Sequence, residues 1–244
     1  MDRDADIASV IENGLALADA AEAAGLDAPV ASCPGWTVAD LVRHTLEVHW
    51  FWGTLVAQRL TDPSELTPLD PPAEADLLSL YREGVAILRA ALETATDDTP
   101  VWTWSDHKDV GFVRRRMAQE TAVHRWDAEQ AAGRSWSIPV DLAADGIDEF
   151  LFLYLPDVAL GAAALDGTVH LHTTDEGGHG EWLVVIGDDG EPIVTREHAK
   201  GSCALRGPAA DLLLALWRRQ PLSTVDVVGD AAVAARFIAR TNLD

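Results

Sequence analysis

Glu120 and His124 stand four residues apart in the stretch from Arg116 to Gly133, and Asp127 follows three residues later. Ala, Met, Gln and Glu favour a helix here, no proline interrupts it, and Gly133 is a natural stop. Each residue of a helix advances by about 100°, so Glu120 and His124 project from one face a turn apart, with Asp127 on that same face. A carboxylate and an imidazole placed this way can grip one metal ion. The pair alone is a weak signal, because such spacing also makes ordinary exposed polar pairs. A second stretch, Cys33-Pro34-Gly35-Trp36-Thr37 running on to His44, supplies another imidazole.

The elements that must position these groups follow from hydrophobic spacing. Ile7, Val10, Ile11, Leu15 and Ala18 mark a first helix over about 4–24, stopped by Gly25. The second runs from Thr37 to about Leu60, with Thr37 and Asp40 spaced as a capping box. Asp40 is thereby a helix-start residue and no ligand. A long connection with Pro63, Pro68, Pro71 and Pro72 follows, then a third helix over about 73–94 and a fourth over about 111–132. A connection that long suits a bundle with a crossover. If helices two and four are antiparallel, His44 and His124 lie about 11 and 14 Å from the same end of the bundle. His44, Glu120 and His124 then form a three-ligand site that leaves coordination positions open, the arrangement of catalytic zinc. His49 lies about 140° around its helix from His44, which excludes it as a co-ligand. Glu47 is three residues after His44 and could face the cavity, with solvent as the default.

A fifth helix spans about 140–155, closed by Pro156. Beyond Gly161 the period changes to two. Thr168–Thr173, Trp182–Ile186, Ile193–Thr195, Ser202–Leu205 and Val225–Val228 read as strands, with Asp188-Asp189-Gly190 as a hairpin turn. Helices follow from Pro208 and over Asp230–Arg240. The expected fold is mainly α with α+β: a helical bundle over 1–157, then a small α+β domain over 158–244. His170, His172 and His179 are expected on a surface strand and its Gly-rich turn rather than in a metal site. Cys33 reads as structural and Cys203 as a strand residue. Trp36, Trp52, Trp102 and Trp104 are the candidates to line a pocket.

The chain is 48% hydrophobic and 24% charged over 244 residues, enough for a real core. A net charge of -22 opposes counterion-releasing contact with nucleic acid. No apolar run reaches the length of a membrane span, and the acidic start lacks a secretory pattern. Two cysteines make no disulfide framework. These features lead us to expect a cytoplasmic protein without nucleic-acid or membrane partners, a monomer or weak homodimer.

The chain resembles the mycothiol-dependent maleylpyruvate isomerase family. The resemblance rests on Cys33-Pro34-Gly35-Trp36-Thr37 with Asp40-Leu41 and His44, and on Arg116-Met117 with Glu120, His124 and Asp127-Ala128-Glu129. Later pieces, Leu212–Arg219 with Trp217 and Val228-Gly229-Asp230, are similar to the family's C-terminal domain. The resemblance implies a DinB-like four-helix bundle with a crossover connection, and the metal ligands His44, Glu120 and His124. It implies a divalent metal, zinc foremost, with mycothiol as the low-molecular-weight thiol co-substrate of a small electrophile. It also implies that the second domain supplies a cation. Arg218 and Arg219 are the candidates, Arg219 being placed as the catalytic one, to hold a substrate carboxylate. A cationic helix end explains the same residues equally well. The expected activity is isomerisation or S-transfer. The alternative is a non-catalytic metal- or small-molecule-binding regulator on the same scaffold.

Overall fold

The computed structural model describes residues 2–156, 167–177, 180–187 and 191–241. It divides into two compact units, residues 1–137 and 138–244. The change of sequence period put the boundary after the fifth helix; by its contacts that helix groups with the second unit.

The first unit contains four long helices, α1 (Arg3–Ala24), α2 (Val38–Gln58), α3 (Leu77–Thr94) and α4 (Val110–Ala131). Their starts are chemically set. Asp2 accepts from the Ala5 amide and Asp109 from the Phe112 amide, each satisfying an otherwise unpartnered helix N–H. At α2 the expected capping box is present: Asp40 N–H donates to Thr37 Oγ1 at 3.3 Å and Thr37 N–H to Asp40 Oδ2 at 2.9 Å. The long connection after α2 carries two short 3-10 turns, Pro63–Glu65 and Glu74–Asp76. It delays α3 to Leu77, a few residues later than hydrophobic spacing alone suggests.

Helix α1 packs chiefly on α4, and α2 on α3. Leu17, Leu41, Val42, Tyr81, Val85 and Ala128 share one core. Gly14 allows α1 to approach α3 closely, since a Cβ there would come within 2.8 Å of Val85 Cγ2. Contacts across α2 and α4 fix their direction. His44 meets Glu120, His49 meets Thr121, and Trp52 packs on Phe112. The chain thus descends α4 as it ascends α2, and the two helices are antiparallel as the crossover requires.

In the second unit, α5 (Val140–Glu149) continues as a π turn over Phe150–Tyr154. Strands β1 (Val169–Thr173), β2 (Glu181–Ile186), β3 (Pro192–Thr195), β4 (Cys203–Gly207) and β5 (Asp226–Gly229) form a sheet of order β3-β2-β1-β4-β5. Only the β1–β4 pair is parallel; the other neighbours are antiparallel. Val169, Leu171, Trp182, Val184, Cys203 and Leu205 alternate onto one buried face. Helices α6 (Ala209–Leu216) and α7 (Ala231–Arg240) contact β1 and β4. The Asp188–Gly190 turn lies outside the described residues.

Arg114 ties α4 to α1 in the first unit. Its guanidinium donates to the buried Asp6 carboxylate and makes a bidentate pair with Asp97, both bonds 3.1 Å long. Removing the guanidinium takes a charged partner from a carboxylate that is almost wholly buried. Arg114→Ala should therefore destabilise the first unit by about 3–5 kcal/mol, read as a lowered urea midpoint at an unchanged slope. An unchanged midpoint would refute this assignment.

Candidate metal centre

Thr37 and Asp40 start α2 so that His44 falls nearly two turns in, where α2 faces α4. Glu120 and His124 occupy successive turns of α4 on the facing side. One ligand atom from each of His44, Glu120 and His124 lies within 4.8 Å of the others. Glu120 Oε1 is the shared centre, 3.2 Å from His44 Nε2 and 3.1 Å from His124 Nε2. All three residues expected from sequence as ligands are thus brought together.

The surrounding residues fix how these groups point. Arg116, a turn before Glu120 and itself buried, donates to Glu120 Oε2 at 2.8 Å. This leaves Oε1 turned toward the imidazoles. Asp127 is fully buried and bonds His124 Nδ1 at 2.9 Å. Nδ1 carries the proton toward Asp127, and Nε2 is the ring nitrogen presented to the cluster. Asp127 is held in turn by Ser32 Oγ at 2.6 Å and by the Cys33 thiol at 3.7 Å. The loop before α2 therefore buttresses α4 from behind. Trp36 leans on His44 with ring centroids 5.2 Å apart.

The electrostatics follow from this packing. Burial pushes the Glu120 carboxyl up, but His124, His44 and Arg116 override it and hold the group well below its usual range. Burial pushes His124 down, but Glu120 and Asp127 outweigh it and raise the imidazole to about 9. His49, buried beside Tyr81, bonds Thr121 Oγ1 at 2.9 Å and is no part of the cluster. Desolvation lowers its pKa to about 4, the mark of a neutral packing histidine.

His44 also lines an open cavity of about 390 Å³ with Glu47, Phe51, Trp52 and Leu69. Trp52, one of the tryptophans named as pocket candidates, is at this cavity, and Glu47 takes the cavity rather than the solvent position open to it. Trp102 stacks behind Trp52, 6.1 Å between centroids. Trp104 is partly exposed and packs edge-on against Phe112.

Sequence reading missed Ser32 and the role of Arg116. Arg116 was visible as a cation four residues before Glu120; a serine in a loop carries no such signal. Arg219 lies in the second unit just past α6, its guanidinium donating to the Trp217 carbonyl at 3.1 Å. The preceding Arg218 adopts a left-handed backbone, φ 57°. His170, expected on a surface strand, is instead buried, and His179 lies outside the described residues.

Two family models together span most of the chain. The mycothiol maleylpyruvate isomerase N-terminal domain matches residues 7–129, and the C-terminal domain of the same family matches residues 141–236. The chain belongs to the mycothiol maleylpyruvate isomerase family. Among solved structures it is similar to the mycothiol-dependent maleylpyruvate isomerase, with TM-score 0.61 and 12% identity over 93% of each chain. A histidine-to-alanine mutant of that isomerase gives TM-score 0.62 and 13% identity, again over 93% of each chain. At such identity the likeness establishes the fold. No curated protein matches the sequence. Among the described residues, no helix is long and apolar enough to cross a membrane.

The donor set of this family member fits a divalent transition metal: two imidazole nitrogens and one carboxylate oxygen, with the ring nitrogen of His124 aimed by Asp127. In the metal-free protein His124 keeps its proton up to about pH 9. Ligation requires the neutral ring, so the proton must leave as metal enters. Zinc affinity should accordingly rise by about tenfold per pH unit between neutrality and pH 9, then level off. Calorimetric titration across that range, with one proton released into the buffer, checks the sign; an affinity flat with pH would contradict it. Asp127→Asn should weaken zinc binding by about 10–100-fold while the protein stays folded.

Proposed function

We propose that the protein is a metal-dependent enzyme that uses a low-molecular-weight thiol, mycothiol, to isomerise or conjugate a small electrophile. The observation that carries this reading is the convergence of His44 and His124 on Glu120 Oε1, with His44 at the wall of an open cavity. Three protein ligands with one open side suit chemistry better than structural support. Zinc is the best match to this donor set.

His44 and His124 would hold the ion through their Nε2 atoms and Glu120 through Oε1. When bound, the ion supplies the positive charge that keeps a thiol as its thiolate near neutral pH. Arg116 keeps the Glu120 carboxylate ionised and oriented. Asp127, bonded to Nδ1, fixes the direction of the His124 ring and leaves Nε2 as the nitrogen turned toward the cluster. Phe51, Trp52 and Leu69 form an apolar wall, which excludes water from a bound electrophile.

A thiolate adds its lone pair to one carbon of an activated double bond, and the electrons move to the conjugated carbonyl. The former double bond is now single and rotates. Expulsion of the thiolate restores the alkene in its other configuration, with no net change in atoms. Protonation of the adduct at carbon gives the conjugate instead. Maleylpyruvate, the substrate in the family's name, is an electrophile of this type, and Arg219 is the candidate to hold such a substrate's carboxylate.

The test is turnover of maleylpyruvate with mycothiol by the zinc-loaded protein. Activity should need both thiol and metal. His124→Ala should lose metal and lower turnover by at least about a thousandfold, and Arg219→Ala should mainly raise KM. Full turnover by His124→Ala would overturn the metal's role. Zinc-loaded protein that alters no pair of thiol and electrophile would favour a non-catalytic binding protein.

A further inference from the structure

The second unit carries another convergence of metal-binding side chains. Strand alternation puts His170 and His172 of β1 on the sheet face opposite the buried apolar one. The antiparallel register sets Glu181 of β2 directly across from His172. Thr195, at the end of β3, pairs with Leu183, so the chain beyond β3 runs back alongside Glu181 and delivers His198. Two imidazoles of β1 and one from the segment after β3 therefore surround one carboxylate. His170 Nε2 is 3.1 Å from Glu181 Oε2, His172 Nδ1 is 3.1 Å from Oε1, and His198 Nδ1 is 2.5 Å from Oε2. The ring centroids of the three histidines lie 5.3 to 6.2 Å apart. One ligand atom from each of the four residues falls within 4.8 Å of all the others.

Each of the three rings turns a nitrogen to the same carboxylate, so three imidazole donors and one carboxylate oxygen converge on one point. One small dication suits such a point, because each imidazole offers it a lone pair and the carboxylate offsets part of its charge. We propose that His170, His172, Glu181 and His198 form a second metal site, which binds zinc or a similar divalent transition ion. Imidazole-rich donors exclude calcium and magnesium, which take oxygen ligands. Four protein ligands complete a tetrahedron, so this site is closed and structural, unlike the open triad of the first unit. Its ion clips the segment after β3, where the His198 side chain is 78% exposed, onto β1 and β2.

The signal in the sequence was the His170–His172 alternation. His198 and Glu181 are too distant in sequence for their contribution to show without the strand register.

The experiment is cobalt(II) titration of the untagged full chain, stripped of metal beforehand and monitored by visible absorption and calorimetry. The proposal expects His124→Ala to retain about one equivalent of cobalt per chain with a four-coordinate spectrum. Adding His172→Ala and His198→Ala to that variant should remove it, with circular dichroism unchanged. Metal should also slow hydrogen exchange over residues 196–201 in His124→Ala and not in the triple variant. A folded His124→Ala protein that binds no cobalt overturns the second site and leaves the first untouched. A four-coordinate equivalent that survives His172→Ala with His198→Ala in the His124→Ala background overturns it as well. With His124 intact, loss of one of two cobalt equivalents on His172→Ala with His198→Ala supports it without reference to any activity.

Discussion

The Glu120 carboxylate governs the first unit. It lies inside a helical bundle, where an ionised group persists only if positive or hydrogen-bonding partners surround it. Arg116 meets one oxygen, and His44 and His124 meet the other. This requirement dictates much else. Helices α2 and α4 must be antiparallel and in register, the capping box must start α2 at the right residue, and the loop before α2 must brace Asp127. A divalent ion at the same place would meet the charge requirement more completely than two imidazoles do.

The polar architecture is therefore layered. Glu120 is oriented by Arg116, His124 by Asp127, and Asp127 by Ser32 and Cys33. Asp127 is the most deeply buried of these groups, and His44 is the one open to the cavity. Such an arrangement fixes the ligating atoms before any ion arrives, which lowers the reorganisation needed on binding.

Helix periodicity made the bundle legible in sequence. The apolar rows of α2 and α3 and the cap at Thr37 placed these elements within a few residues, and i,i+4 spacing placed Glu120 beside His124. The long proline-rich connection suited a crossover, and the antiparallel run of α2 and α4 entered the sequence reading as a condition that the contacts now meet. Contacts between distant residues were not legible. Ser32 reaches Asp127 across 95 positions of chain, and nothing in a loop serine's neighbourhood announces that. The buried face of His170 was misread because β1 alternates on a sheet whose second face is also partly covered. Helix α5 was placed with the bundle because the change to period two comes after it, whereas it packs on α6.

The most direct test of the account is the visible spectrum of the cobalt-substituted protein before and after mycothiol is added. A thiolate entering the open side of the His44–Glu120–His124 centre should produce a sulfur-to-cobalt charge-transfer band that His124→Ala lacks. A spectrum indifferent to thiol, with cobalt bound at the triad, would contradict the thiolate-accepting role at the heart of the proposed function.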